Sequence, residues 1–152
     1  MNEIERIVDQ LKRSWGGDAW HGPSLSELLA DVDAAKAAAH PVAGSHSIWE
    51  LCLHLATWDR IVAGRLREWH GRDPSDSENF PAVTATTESA WIAARESLAD
   101  AHRELEDTVS SWPEDHLGET VPNKPYSVYV MLHGAVQHEL YHAGQIALLK
   151  KA

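Results

Sequence analysis

The feature that most constrains this chain is the apolar stretch from residue 126 to residue 151, which contains two histidines four residues apart. On an α-helix this spacing places His138 and His142 on the same face, one turn apart. The other residues on that face are mostly apolar: Met131, Ala135, Gln145 and Leu149. The sequence therefore predicts a long helix that directs both imidazoles towards a core.

Apolar residues recur at helical spacing in three further long stretches, each preceded by a residue suited to capping a helix. Capping-box pairs are formed by Ser47 with Glu50 and by Ser24 with Glu27. The first pair opens a long helix, and the second opens one short helix whose Ala-rich continuation ends before Pro41. The long helices are predicted over residues 2 to 15, 47 to 69 and 87 to 111, and after Ser127.

No alternating pattern typical of strands and no internal repeat accompanies these helices. The sequence therefore predicts an all-α fold, a four-helix bundle with one short extra helix. The connections between the long helices are longer than helical hairpins require, which favours at least one crossover connection, although the sequence leaves the topology open. A chain of 152 residues has the length of one domain, so we expect a single domain over residues 1 to 152.

Charge and composition limit the classes of partner that this chain can bind. The chain has 13 Lys and Arg against 23 Asp and Glu, a formal net charge of -10, so phosphate backbones are repelled and we expect no nucleic-acid partner. No apolar run approaches the roughly 20 residues needed to cross a bilayer, and the N-terminus does not resemble a signal peptide. With Cys52 as the single cysteine, no intrachain disulfide can form, and we expect a cytoplasmic protein without a membrane partner.

A third histidine, His54, lies on the helix predicted over residues 47 to 69, on the side that it shares with Leu51 and Trp58. Two ligands from one helix and one from a facing helix can converge on a single ion, and three protein ligands leave a position open for water or substrate. The alternative is that the three are core histidines satisfied by side chains or water. Cys52 lies about 160° from His54 on the helix, so we expect it to face away from the core and to be neither ligand nor nucleophile.

The remaining histidines are poorer candidates for metal ligands. His102 lies among polar residues of the third long helix, and His133 is rotated by about 140° from His138. The others fall in turns or near helix ends.

Several neighbours of the three histidines have two interpretations each. Glu50 is either the capping partner of Ser47, which the spacing favours, or an acceptor or ligand near His54. Residues 138 to 142 match the H-E-x-x-H pattern of zinc proteases, with Glu139 as the general base. The third ligand would come from upstream rather than downstream, however, which disfavours a protease. Tyr141 and Gln145 either orient water or substrate or serve only in packing.

Two segments, HSIWELCLHLATWD at 46 to 59 and HELYHAGQIALLKK at 138 to 151, resemble the signature segments of the DinB-like (DinB/YfiT) superfamily. The resemblance covers most of the chain. It implies a four-helix bundle with crossover topology, frequently dimeric, and a divalent metal bound near one end by His54, His138 and His142. Three imidazoles suit zinc, nickel or iron alike.

Characterised members of this superfamily include S-transferases that use low-molecular-weight thiols such as bacillithiol, mycothiol or glutathione, and a mycothiol-dependent isomerase. By analogy we expect a metal-dependent enzyme that transfers a thiol to an electrophilic small molecule. Two alternatives stay open, a metal-dependent hydrolase and a metal-binding stress-response protein without chemistry of its own.

A homodimer is the expected assembly. The C-terminal helix is apolar on a second face as well, and small residues on that face would permit close approach of a partner helix. This face contains Tyr129, Val136, Leu140, Ala143 and Ala147.

Overall fold

The computed structural model describes all 152 residues, which form helices and no β-strand. In chain order the helices are α1 (Glu3–Gly16), α2 (Leu25–Leu29), α3 (Ala34–Ala38), α4 (Ile48–Glu68), α5 (Asp76–Asn79), α6 (Glu88–Ser110) and α7 (Val128–Leu149), with a 3₁₀ turn at Glu114–His116. None of them combines the length and the apolar character needed to cross a membrane. The prediction of an all-α fold is confirmed.

The four long helices begin where their capping residues predict. At each start, a side-chain oxygen accepts a hydrogen bond from the backbone N–H three residues further on, and this satisfies one of the donors left free in the first turn. The capping residues are Asn2 for α1, Ser47 for α4, Thr87 for α6 and Ser127 for α7.

The short elements differ from the prediction. The one short helix expected after Ser24 is divided into α2 and α3, because the Asp33 side chain accepts a hydrogen bond from the Lys36 N–H and starts a new helix. The connection between α4 and α6, where the sequence predicts no helix, contains α5. Its capping box of Ser75 with Glu78 is sufficient to close a single helical turn.

Helix α4 lies at the centre of the packing. It packs against α6 and α7, and α1 packs against the same two helices. Cys52 was expected to face away from the core, and this is wrong: it is 1% exposed and belongs to the same core cluster as Trp49 and Trp91. Neighbours on both sides bury both faces of α4, so pointing away from His54 does not mean pointing towards solvent. The crossover connections stay a prediction.

A buried polar layer divides the apolar core into two clusters. One cluster fills the end of the bundle covered by α2 and α3, and the other fills the end where α1 and α7 begin. On α4, α6 and α7 the positions between the two clusters are Asp59, His102 and Glu139, and Ser14 on α1 completes the layer. Each of the four is at most 6% exposed.

His102 is the centre of this layer. Its Nδ1 lies 3.7 Å from Asp59 Oδ2 and 3.6 Å from Glu139 Oε1, and its Nε2 lies 2.9 Å from Glu106 Oε1. The Ser14 hydroxyl donates a hydrogen bond to Glu139 Oε2 at 2.7 Å. His102 was expected among polar residues of its own helix, but only Glu106 belongs to α6. Asp59 and Glu139 come from α4 and α7, and the His102 side chain is 1% exposed.

The layer holds its groups in unusual protonation states. Burial lowers the pKa of His102, but contact with Asp59 and Glu106 and the charge of Glu139 outweigh burial and raise the pKa to about 10. Burial also raises the pKa of Asp59, and it raises the pKa of Glu139 to about 7. At neutral pH the layer thus contains an imidazolium surrounded by carboxyl groups.

The raised pKa of His102 predicts a pH-dependent stability. Because the pKa rises from 6.5 to about 10 on folding, protonation of His102 stabilises the folded chain. This contribution is complete below about pH 6.5 and is lost as the pH rises through the folded value. We expect the free energy of unfolding in urea to fall from pH 6.5 to pH 10, with a flatter profile in His102→Gln. His116→Gln, which changes a half-exposed histidine, should follow the wild type. Parallel profiles for the wild type and His102→Gln would contradict the assignment.

Candidate metal centre

His54 from α4 meets His138 and His142 from α7 where these two helices pack together. The Nε2 atom of His138 lies 3.0 Å from Nε2 of His54 and 3.0 Å from Nε2 of His142. One ring nitrogen from each residue lies within 4.8 Å of the other two. The structure therefore brings together the three histidines that the sequence selected, in an arrangement that could hold one metal ion.

The outer nitrogens of two of these rings are anchored by hydrogen bonds. His54 Nδ1 donates to the main-chain oxygen of Asn79 at 2.7 Å, and His142 Nδ1 donates to Gln145 Oε1 at 2.6 Å. A neutral imidazole that donates from Nδ1 presents a lone pair at Nε2. Two lone pairs therefore face His138 Nε2, which has at most one proton to offer. A divalent cation would satisfy all three nitrogens. The residues present therefore fit a metal site better than a cluster of buried histidines that form hydrogen bonds only with one another.

Burial keeps the three histidines neutral. It is the largest cause of the lowered pKa of each, and with the neighbouring imidazoles it lowers the pKa of His138 to about 3. Neutral imidazole is the form that binds metal, because a proton competes for the same lone pair.

The connection that contains α5 supplies one wall of the site. Phe80 stacks on the His54 ring with the ring centres 4.1 Å apart. The Asn79 side-chain oxygen accepts a hydrogen bond from Trp58 Nε1 at 2.8 Å. Sequence analysis did not identify Asn79 or Phe80, and the only local signal was the capping box of Ser75 with Glu78 just before them.

A pocket of about 460 Å³ begins at the histidines and continues along the groove between α4 and α7. Such a volume is suited to a small organic molecule. His54 and His138 line this pocket, so ligand positions left open by the histidines would face it. Its other lining residues are Trp58, Asp59, Val62, Arg65, Asn79, Tyr126, Val130, Met131, Gly134 and Ala135.

Glu139 does not occupy the position that the H-E-x-x-H pattern suggests. On α7 it is rotated by about 100° from His138, and it accepts a hydrogen bond from Ser14 within the polar layer. It does not line the pocket. The match to the zinc-protease pattern therefore lacks its general base.

The remaining candidates have separate positions. Glu50 closes the capping box with Ser47, as its spacing favoured, and it also lies 3.0 Å from His40 Nε2. Gln145 orients His142. Tyr141 is 66% exposed and meets the His142 ring edge-on, with the ring centres 5.1 Å apart.

Comparison with known proteins agrees with this architecture. A sequence model of the DinB superfamily matches residues 19–146, a range that contains all three histidines and most of the chain. No curated protein and no solved structure gives a significant match. On the extent of the family match, the chain belongs to the DinB superfamily.

Proposed function

We propose that this protein binds one divalent ion through His54, His138 and His142 and transfers a low-molecular-weight thiol to an electrophilic small molecule. The observation that supports this most is a pocket next to the three histidines that is lined by no Cys, Ser, Thr or Lys. Burial raises the pKa of the single cysteine, Cys52, to about 12. These observations favour a nucleophile that is brought by a ligand, such as a small thiol.

When bound, a divalent ion would lower the pKa of a thiol so that the thiolate is available at neutral pH. The protein's own residues position the reactants. Asn79 and Gln145 fix the directions in which His54 and His142 present their lone pairs. The apolar side chains of the pocket, Trp58 and Met131 among them, would exclude water from an organic electrophile.

The alternatives have weaker support. Hydrolysis by a metal-bound water would be helped by a nearby general base, but Glu139 and Glu50 are both engaged elsewhere. The remaining carboxyl group, Asp59, lines the pocket but faces His102. A non-catalytic metal-binding protein would not require a pocket at the site. The ligands suit zinc, nickel or iron alike.

Metal binding is tested with single variants. Replacing His54, His138 or His142 with Ala should each weaken metal affinity by at least tenfold, because even residues that only orient a ligand contribute about that much. Gln145→Leu, which removes the acceptor for His142, should weaken it by about tenfold. His116→Ala is the control and should keep one ion per chain. Undiminished metal content in any of the three ligand variants would remove that residue from the site.

Thiol transfer is tested by incubating the metal-loaded protein with a panel of low-molecular-weight thiols and monochlorobimane, whose fluorescence reports thioether formation. We expect at least one thiol to react faster than without protein, and the acceleration to disappear in His138→Ala. Cys52→Ala should keep it, because that thiol is buried away from the pocket. Loss of the electrophile at the same rate without any thiol would indicate hydrolysis instead.

We also propose a homodimer, but not through the face that the sequence suggested. Ala143 is 2% exposed and packs in the protein's own core, because α7 contacts α1, α2 and α4. Of the four large apolar side chains that α7 leaves in solvent, only Tyr129, 44% exposed, belongs to the suggested face. The three most exposed lie along a different stripe: Val130, Tyr141 and Leu148 are 53%, 66% and 71% exposed. An apolar stripe on one helix is typical of a surface that is covered in an assembly.

The dimer is tested by sedimentation at micromolar concentration. We expect the wild type to sediment as a dimer and Leu148→Glu as a folded monomer, because a charge would have to be buried in the interface. Ile92→Glu, which changes an exposed apolar residue of α6, is the control and should remain dimeric. A monomeric wild type would exclude the assembly.

A further inference from the structure

The pocket contains a buried guanidinium three turns of α4 beyond His54. Arg65 is 2% exposed and lines the pocket. Its Nε and Nη2 atoms donate to the Arg72 carbonyl at 3.3 and 3.0 Å, Nη2 also donates to Asp73 Oδ1 at 2.7 Å, and Nη1 donates to Tyr126 Oη at 3.0 Å. A guanidinium has five N–H groups. These four bonds leave one N–H of Nη1 without an acceptor.

Tyr126 provides a second free donor beside the first. Its hydroxyl oxygen accepts the hydrogen bond from Arg65, so its own O–H proton is still available. Tyr126 lines the same pocket. Two donors whose heavy atoms lie 3.0 Å apart suit the two oxygens of a carboxylate.

The charges around Arg65 leave this end of the pocket positive. Asp73 is the carboxylate paired with Arg65, but it is shared with Lys124, whose hydrogen bond is the largest cause of the lowered pKa of Asp73. One carboxylate, that of Asp73, is therefore paired with two cationic side chains. Asp59, the carboxyl group that lines the pocket, faces His102 in the polar layer. A protein with a formal charge of -10 thus contains a locally cationic pocket end.

The backbone holds this end in place. The segment after α4 and the segment before α7 meet where Gly71 lies against Pro122, so closely that a Cβ on Gly71 would overlap the Pro122 carbonyl oxygen. Arg72 and Asp73 follow that contact on one side, and Tyr126 on the other. The donors are therefore preformed, and little ordering would oppose ligand binding.

Trp58 connects the guanidinium with the histidine site. The Arg65 Cζ atom lies 5.6 Å from the centre of the Trp58 ring, and that ring centre lies 6.0 Å from the centre of the His138 ring. Val62 and Met131 line the same stretch. A ligand that reached both ends would place a hydrocarbon segment on this apolar surface.

We infer that Arg65 and Tyr126 bind a carboxylate of the ligand whose other end reaches His54, His138 and His142. The substrate class is then a small organic acid with an apolar middle. The identity of its reactive end, a thiol or the electrophile that accepts one, rests on the proposed function. The carboxylate contact does not.

The test compares matched probes by isothermal titration of the metal-loaded protein. We expect 6-mercaptohexanoate to bind about tenfold more tightly than 6-mercaptohexanol, which is typical of a hydrogen-bonded charge. Tyr126→Phe keeps the ring but removes the hydroxyl, and with it both the O–H donor and the acceptor of the Arg65 Nη1 hydrogen bond. It should reduce this preference about fivefold without changing the affinity of the alcohol or the metal content. Tyr129→Phe, a change on α7 outside the pocket, is the matched control.

Further comparisons separate this inference from the proposed function. Hexanoate and hexanol lack the thiol, and hexanoate should still bind more tightly, with the preference reduced again in Tyr126→Phe. Equal binding of acid and alcohol, or a preference that Tyr126→Phe leaves unchanged because the carboxylate binds the metal, would overturn the carboxylate site. A preference for the acid without any gain from the thiol would support the carboxylate site and count against thiol transfer.

Discussion

The relative positions of the long helices depend on the contacts between the protonated imidazole of His102 and the buried carboxyl groups around it. The imidazole contacts carboxyl groups from α4 and α7, and α1 joins through the hydrogen bond of Ser14 to Glu139. Removing one partner of a buried charge typically costs about 3–5 kcal/mol, because the remaining charge is left uncompensated. Apolar side chains can still pack when one helix shifts along its axis against another. The buried imidazolium, in contrast, requires its carboxyl partners at fixed positions along the bundle axis. Asp59 is five residues after His54, and Glu139 is next to His138. The polar layer thereby fixes the axial register in which α4 and α7 present the three histidines.

The parts of the structure that were predictable from the sequence depend on local signals. Capping side chains and a 3.6-residue period act within one helix, so they identified the long helices. The positions of residues around each helix, drawn as a helical wheel, also selected His54, His138 and His142. The prediction for Cys52 failed because a wheel describes one helix and carries no information on how many neighbours that helix has. The position of Ala143 was missed for the same reason. Both residues lie on helices that are covered on more than one side.

Contacts distant in sequence were the other source of error. Glu139 matches a catalytic pattern, but the pattern describes spacing and not what faces each side chain. Its surroundings are set by Ser14, 125 residues away, and by His102 on another helix. Asn79 and Phe80 could not be selected either, since their importance comes from where the connection before α6 folds back over α4.

That connection contacts His54 through its main chain and lines the pocket through its side chains, so the two contacts constrain its sequence differently. The acceptor for the His54 ring is the main-chain oxygen of residue 79, and every amino acid supplies one. The side chains of the same segment form a wall of the pocket. Substitutions there can therefore alter the shape and polarity of the pocket while the hydrogen bond that orients the His54 ring is retained. The pocket of such a bundle can diverge while the arrangement of its three histidines stays the same.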